Sequence, residues 1–302
     1  METDNVELAT PEIAIALSNA PSMGQVFSKA LLLSLSKRQG RLTGKEIHGM
    51  RVTMDRIPPT PERIKAFRQV CHEPMDQTAL PAIYFETLFV GMLGKLITSP
   101  VFPISPMGLI HIRQSLVQHR PVDETEILDA QCGLGKMTKD DKGITLECYL
   151  EVRSGNERVW EGVATFLSRR RTTGSGKKKK QAPPQSPLPV KEIFNLAGDT
   201  GRAYARASND YNPHHLYGFS ARLLGFRSPI AHGMFTLARS LAAIQRKITF
   251  KFPMGVEAGF KLPVYLPARV ALGYETFGNT VSFELRDANS GLPHVAGRIK
   301  RL

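Results

Sequence analysis

Residues Ser208–His215 read S-N-D-Y-N-P-H-H, and residues Ala231–Met234 read A-H-G-M. Together they gather Asp210, Asn212, His214, His215 and His232 in a chain that has only eight histidines. A carboxylate and imidazoles flanking a rigid Asn-Pro step fit three chemistries: a metal site, an acid–base pair, or plain turn formation, for which D-x-N-P is well suited. Metal ligation is the weakest of the three. Adjacent histidines such as His214 and His215 usually point apart, and the chain carries neither an H-E-x-x-H helix nor a cysteine cluster. Asp210 and His215, by contrast, lie five positions apart across a turn fixed by Pro213, so both side chains can reach one water. Positioned acid–base groups of this kind contribute roughly 10²–10⁴-fold in rate.

The A-H-G-M step leads into M-F-T-L-A-R-S-L-A-A-I, residues 234–244. Met234, Leu237, Leu241 and Ile244 recur there at helical spacing, while Arg239 and Gln245 can face elsewhere. Backbone N–H groups at a helix start lack intrahelical acceptors and favour negative charge, and Gly233 lets a ligand approach them closely. Beyond the helix come A-G-F-K-L-P-V-Y-L-P-A-R-V-A-L and T-V-S-F-E-L-R-D-A-N-S-G-L-P-H-V-A-G-R-I. The first half follows the same plan. A helical run, I-Y-F-E-T-L-F-V-G-M-L-G-K-L-I at 83–97, precedes I-H-I-R-Q-S-L-V-Q-H-R-P-V and G-I-T-L-E-C-Y-L-E-V-R-S-G-N-E-R-V-W-E-G-V-A-T-F. Each half ends in alternating strands, with one Pro-marked interruption and one hairpin around S-G. A long apolar helix followed by an antiparallel sheet, twice, predicts an α+β fold. Each half wraps a sheet around a central helix, and the two pack as a pseudo-dimer.

Between the halves runs R-R-R-T-T-G-S-G-K-K-K-K-Q-A-P-P-Q-S-P-L-P. Gly, Ser, Pro and like charges build no core, so residues 169–188 read as a solvated linker. It separates residues 1–168, with an N-terminal extension, from residues 189–302. Seven positive charges sit in this linker; without them the formal charge of +13 falls to about +6, which is ordinary for the size. No aromatic-basic motif accompanies them, and no nucleic-acid partner is expected. With 302 residues and 42% hydrophobic content, one large domain or two smaller ones has enough core. No run of eighteen apolar residues occurs, so no membrane span is expected, and the acidic start M-E-T-D-N-V-E lacks the basic region of a signal peptide. Cys71, Cys132 and Cys148 have no metal-like spacing. They read as reduced structural thiols of a cytoplasmic protein.

S-N-D-Y-N-P-H-H, followed by A-R-L-L-G-F and I-A-H-G-M, resembles the signature of the MaoC-like dehydratases, whose relatives include the (R)-specific, type-2 enoyl-CoA hydratases. The family pattern runs S-G-D-x-N-P-hydrophobic-His, then a short helical overhang, then a His-Gly-Met turn into the hot-dog helix. The later F-K-L-P-V-Y-L-P-A resembles the strand that follows, so the resemblance spans Ala203 to Ala271. It implies a double hot-dog with one active site, because the first half contains no D-x-N-P-x-H. That half would shape the acyl pocket, with Leu88, Phe89, Met92 and Leu93 as candidate lining.

The implied activity is that of a hydro-lyase. It would reversibly hydrate trans-2-enoyl thioesters of CoA, or of acyl-carrier protein, to (R)-3-hydroxyacyl thioesters with no metal or redox cofactor. By this resemblance Asp210 and His215 activate water and shuttle the proton, Asn212 supports them, and Gly233 forms the oxyanion hole. Ser208, His232 and Met234 would touch substrate. A homodimer is compatible with the same reading. Two positions depart from the pattern: Asn209 stands where the family has Gly, and His214 where it has an aliphatic residue. Asn tolerates left-handed backbone angles better than other non-Gly residues. A hot-dog thioesterase, which needs only a carboxylate and an oxyanion hole, and a silent acyl-thioester-binding protein are the alternatives.

Overall fold

Both halves run from helix into sheet, as the periodicities require. The computed structural model describes residues 13–21, 23–35, 49–100, 102, 104–106, 108–141, 143–169 and 187–302. Most of the basic linker, residues 170–186, and the first twelve residues of the extension lie outside the described residues. The first half comprises β1 (Ile13–Leu17), α1 (Met23–Leu35), β2 (Met50–Ile57), α2 (Pro61–Cys71), α3 (Glu86–Ile97), β3 (Leu109–Gln118), β4 (Leu128–Asp140), β5 (Gly143–Ser154) and β6 (Glu157–Arg169). The second comprises β7 (Val190–Leu196), α4 (Thr200–Ser208), α5 (Gly218–Leu223), α6 (Gly233–Gln245), β8 (Met254–Phe260), β9 (Ala268–Phe277), β10 (Thr280–Asp287) and β11 (Pro293–Arg301).

The strands form one sheet in the order β1-β2-β4-β5-β6-β3-β8-β11-β10-β9-β7. With β1 set aside, each half reads outward from the junction as its second, fifth, fourth, third and first strand. The internal repeat is therefore a repeat of topology. The two sheets of the expected double hot-dog run on into one another. β3 pairs antiparallel with β8 from Arg113↔Gly259 to Gln118↔Met254, because joining the halves satisfies backbone groups that a free edge strand would leave open. Both S-G hairpins form, with Gly155 and Gly291 at φ 57° and 69°, backbone angles that glycine adopts without strain.

The core lies between helices and sheet. In α3, Leu88, Phe89, Met92 and Leu96 are buried, and Phe85 and Phe89 stack on Trp160. In α6 the buried set extends beyond the apolar stripe to Arg239. Its guanidinium lies 3.3 Å from Glu192 and 4.0 Å over the Phe194 ring. A carboxylate and an aromatic face from β7 thus offset part of its desolvation, while Nη1 stays buried without a partner. The three cysteines are free and buried. Among the described residues, no helix is long and apolar enough to cross a membrane. The halves also meet through helices: α2 packs on α4 and α6, and Phe67 of α2 lies 6.0 Å from Tyr204 of α4. The loop that follows α4 therefore rests on the first half.

Candidate active site

α4 ends in a left-handed cap. Asn209 adopts φ 64° and donates its N–H to the Ala205 carbonyl, so the residue that departs from the expected Gly still closes the helix in the same conformation. Ser208 Oγ donates to Tyr204 O and accepts the Asp210 N–H. Asp210 Oδ1 in turn accepts the Asn212 N–H at 3.2 Å, and the Asn212 carbonyl accepts the His215 N–H at 3.0 Å. Pro213 opens a single 3₁₀ turn, Pro213–His215, which carries His215 back toward Asp210. The Asx-type bond and the fixed proline angle are local chemistry, which is why this turn was legible in the sequence.

His232, at the N-cap of α6, completes the cluster. The nearest ligand-type atoms of Asp210, His215 and His232 all lie within 4.8 Å of one another. His215 Nδ1 is 2.7 Å from the Ile230 carbonyl. A carbonyl only accepts, so Nδ1 carries the proton and Nε2 keeps a lone pair. His232 Nε2 is 2.9 Å from the Asp210 backbone carbonyl and carries its proton by the same reasoning. Burial, reinforced by the neighbouring imidazoles, holds His215 well below the usual histidine range, and burial pushes His232 down to about 3. Both rings are neutral near pH 7. The 3.8 Å approach of His232 Nε2 to Asp210 Oδ2 is accordingly not an ion pair. His215 and His232 stack with centroids 3.6 Å apart and planes at 25°. Stacked rings direct their lone pairs along near-parallel planes, so the arrangement suits proton transfer better than convergence on one ion.

The other expected residues separate by role. Gly233 opens α6, where its N–H has no intrahelical acceptor, and a Cβ on it would meet the Phe260 ring at 3.1 Å. Ser208, expected to touch substrate, is buried at 1% exposure with its hydroxyl spent on Tyr204 and Asp210; it supports the turn. Met234 is partly buried and packs against the core. His214 lies between the His215 and Phe226 rings.

A cavity of about 160 Å³ reaches Asn209 from the first half. Met54, Ile57, Leu80 and Leu88 supply apolar wall, and Arg63 and Thr87 also line it. Of the expected lining run, only Leu88 faces this space. Phe89 and Met92 are fully buried, and Leu93 packs against the core. Gly94 does not bound the cavity: a Cβ there would come within 2.7 Å of Val26, so its smallness serves the packing of α1 on α3.

Two neighbours escaped the sequence reading. Tyr204 packs its ring 4.9 Å from His232. His111 of β3 lies between Phe166 and Phe260, its Nε2 is buried without a partner, and it feels the charge of Asp210 while burial lowers it to about 4. A histidine in the otherwise regular strand I-H-I-R was the available signal, but nothing local says that β3 borders the other half.

Residues 178–297 match the family described as MaoC like domain. The chain is 30% identical over 255 residues to 3-hydroxyacyl-thioester dehydratase X of Mycobacterium tuberculosis, a match covering 83% of this chain and 89% of that protein. It is 29% identical over 194 residues to peroxisomal enoyl-CoA hydratase 2 of Arabidopsis thaliana, covering 57% of this chain and 61% of that one. The crystal structure of HtdX from Mycobacterium tuberculosis superposes with a TM-score of 0.73 at 26% identity, over 83% of this chain and 100% of that chain.

Proposed function

This chain belongs to the MaoC-like dehydratase family, and we propose that it reversibly hydrates trans-2-enoyl thioesters, linked to CoA, to (R)-3-hydroxyacyl thioesters. The observation that carries the proposal is the gathering of Asp210 and His215 within 4.8 Å at the start of α6, with His215 Nδ1 held on the Ile230 carbonyl so that Nε2 keeps its lone pair. A water held between the two adds its oxygen to C3 of the enoyl group. The proton it releases passes through the same pair to C2, so the sum is water added across one double bond. Negative charge that develops on the thioester oxygen faces the Gly233 N–H, a donor of the kind whose removal costs about 10²–10³-fold elsewhere. Asn212 holds both partners through its backbone. His232 orients the Asp210 main chain. A thioesterase of this fold would leave the oriented, neutral His215 without a task.

Labour divides along the chain. Residues 189–302 carry the chemistry, residues 1–168 receive the acyl chain in the cavity beside Asn209, and residues 169–188 tether the two. Three buried, free cysteines suit a reducing compartment such as the cytoplasm.

Loss of enoyl absorbance with a crotonyl- to dodecenoyl-CoA series tests the activity. Asp210→Asn and His215→Ala should each lower kcat by at least ~10²-fold, and the double variant should be little worse than the poorer single one, since groups acting as a unit are non-additive. Near-wild-type turnover in either single variant sinks the assignment.

A further inference from the structure

We infer that the cavity beside Asn209 selects acyl chains that carry a hydrogen-bond-accepting oxygen, received by Arg63 and Thr87; the inference rests on the hydratase reading. A cavity built for plain hydrocarbon has no reason to hold unpaired polar atoms, and buried side-chain polar atoms rarely lack partners. This one holds two. Arg63 Nη2 and Thr87 Oγ1 are both buried without a hydrogen-bond partner, and both residues line the cavity.

Arg63 lies in the first turn of α2 and Thr87 in the first turn of α3, so two separate elements each bring a buried, unpaired donor to the border of one space. Thr87 is only 4% exposed. Arg63 is anchored through Nε to the Ala207 carbonyl at 3.4 Å, three residues before Asp210, which ties the cation to the catalytic turn. Tyr84 lines the same space, and burial raises its phenol above the ordinary value, so it adds no negative charge there. Among the carboxylates that line it, Glu126 is held by Arg120 and Glu124 by Arg68, and Asp55 is exposed. The remaining unmet demand is for an acceptor.

Size bounds the guest. A cavity of about 150 Å³ elsewhere holds a benzene ring, so this one takes about six carbon-sized atoms. The matching substrates are 2-enoyl thioesters of short to medium length with a hydroxyl, keto or carboxylate oxygen on the distal chain. All three present the acceptor that Arg63 and Thr87 lack.

The test compares wild-type kcat/KM on 2-enoyl-CoAs of about six to twelve carbons. Each is supplied unsubstituted, with a terminal hydroxyl, and with a terminal carboxylate. A site built to hydrogen-bond a substrate oxygen discriminates strongly against the analogue without it, so at least one oxygenated chain should exceed its plain counterpart by ~10-fold or more. The carboxylate arm separates recognition by charge from recognition of a neutral oxygen. Arg63→Met and the isosteric Thr87→Val should each pull that ratio toward one, chiefly through KM, while Thr87→Ser keeps it. Because Arg63→Met also removes the bond to Ala207, Thr87→Val is the cleaner reading. Equal kcat/KM across all matched pairs in the wild type overturns the inference, as does a preference that survives both substitutions. Calorimetry with the corresponding saturated acyl-CoAs decides independently of turnover: tighter binding of an oxygenated chain by ~10-fold supports the cavity's role, and equal binding refutes it. Absence of any hydratase activity alongside selective binding would remove the proposed reaction and leave this site standing.

Discussion

Gly201→Ala should disable the site from behind. Gly201 sits in α4 directly against the catalytic turn, where a Cβ would collide with the His215 carbonyl oxygen and come 3.0 Å from its carbon. That oxygen belongs to rigid main chain. The turn is tied by His215 N–H to Asn212 O, by His215 Nδ1 to Ile230 O and by Arg202 Nη1 to Leu216 O. Relief of the clash therefore needs a displacement on the order of 1 Å in the backbone that carries the imidazole. Misplacing a reacting group by that amount is worth about 10²-fold in rate, whereas overpacking costs stability only about 1–3 kcal/mol. The expected outcome is a folded protein whose kcat on crotonyl-CoA has fallen ~10²-fold. Gly218→Ala is the matched control, since nothing lies within 4 Å of its Cβ position, and it should retain wild-type kcat. Turnover by both variants, with circular dichroism and thermal melts run beside it, checks the expectation. A Gly201→Ala protein with wild-type kcat would show that His215 does not need its present position.

Two further outcomes follow from the geometry. Asn209 at φ 64° should accept Gly with little change, whereas Asn209→Ala should lose about 1–2 kcal/mol in urea unfolding, the cost of placing an ordinary L-residue in the left-handed region; equal stability of the two variants would refute the cap. Burial pushes Glu86 up to about 8, so the folded state holds a proton that the unfolded chain releases near pH 4.5. That stability is fully present below pH 4.5 and drains away as pH rises through 8, by at most about 5 kcal/mol. Wild-type Tm should thus fall relative to Glu86→Gln between pH 5 and 9, and parallel curves would contradict it. His232, lowered to about 3, acts in the opposite sense, withdrawing stability as pH falls from about 6.5 toward 3.

Local chemistry was readable in the chain itself. The Asp210–His215 turn follows from an Asx bond and a fixed proline angle. The helix 234–244 appears as α6 because Leu237, Leu241 and Ile244 recur at its period, and the S-G hairpins form where glycine relieves positive φ. Each depends on residues a few positions apart, so a linear string records it. Contacts between distant segments are not recorded there. The antiparallel seam of β3 with β8 joins residues more than a hundred positions apart. It makes the two sheets continuous and sets His111 against Phe260 of the other half, within reach of the Asp210 charge. Arg239 sits on the spacing of a solvent face, yet Glu192 and Phe194 of β7 bury it. Phe89 and Met92 share a helix with Leu88, but only tertiary packing, such as Phe89 on Trp160, decides which of them meets a cavity. Proton placement on His215 and His232 was likewise beyond the sequence, because it hangs on which backbone carbonyl each ring faces, and only the folded chain brings Ile230 and Asp210 to them.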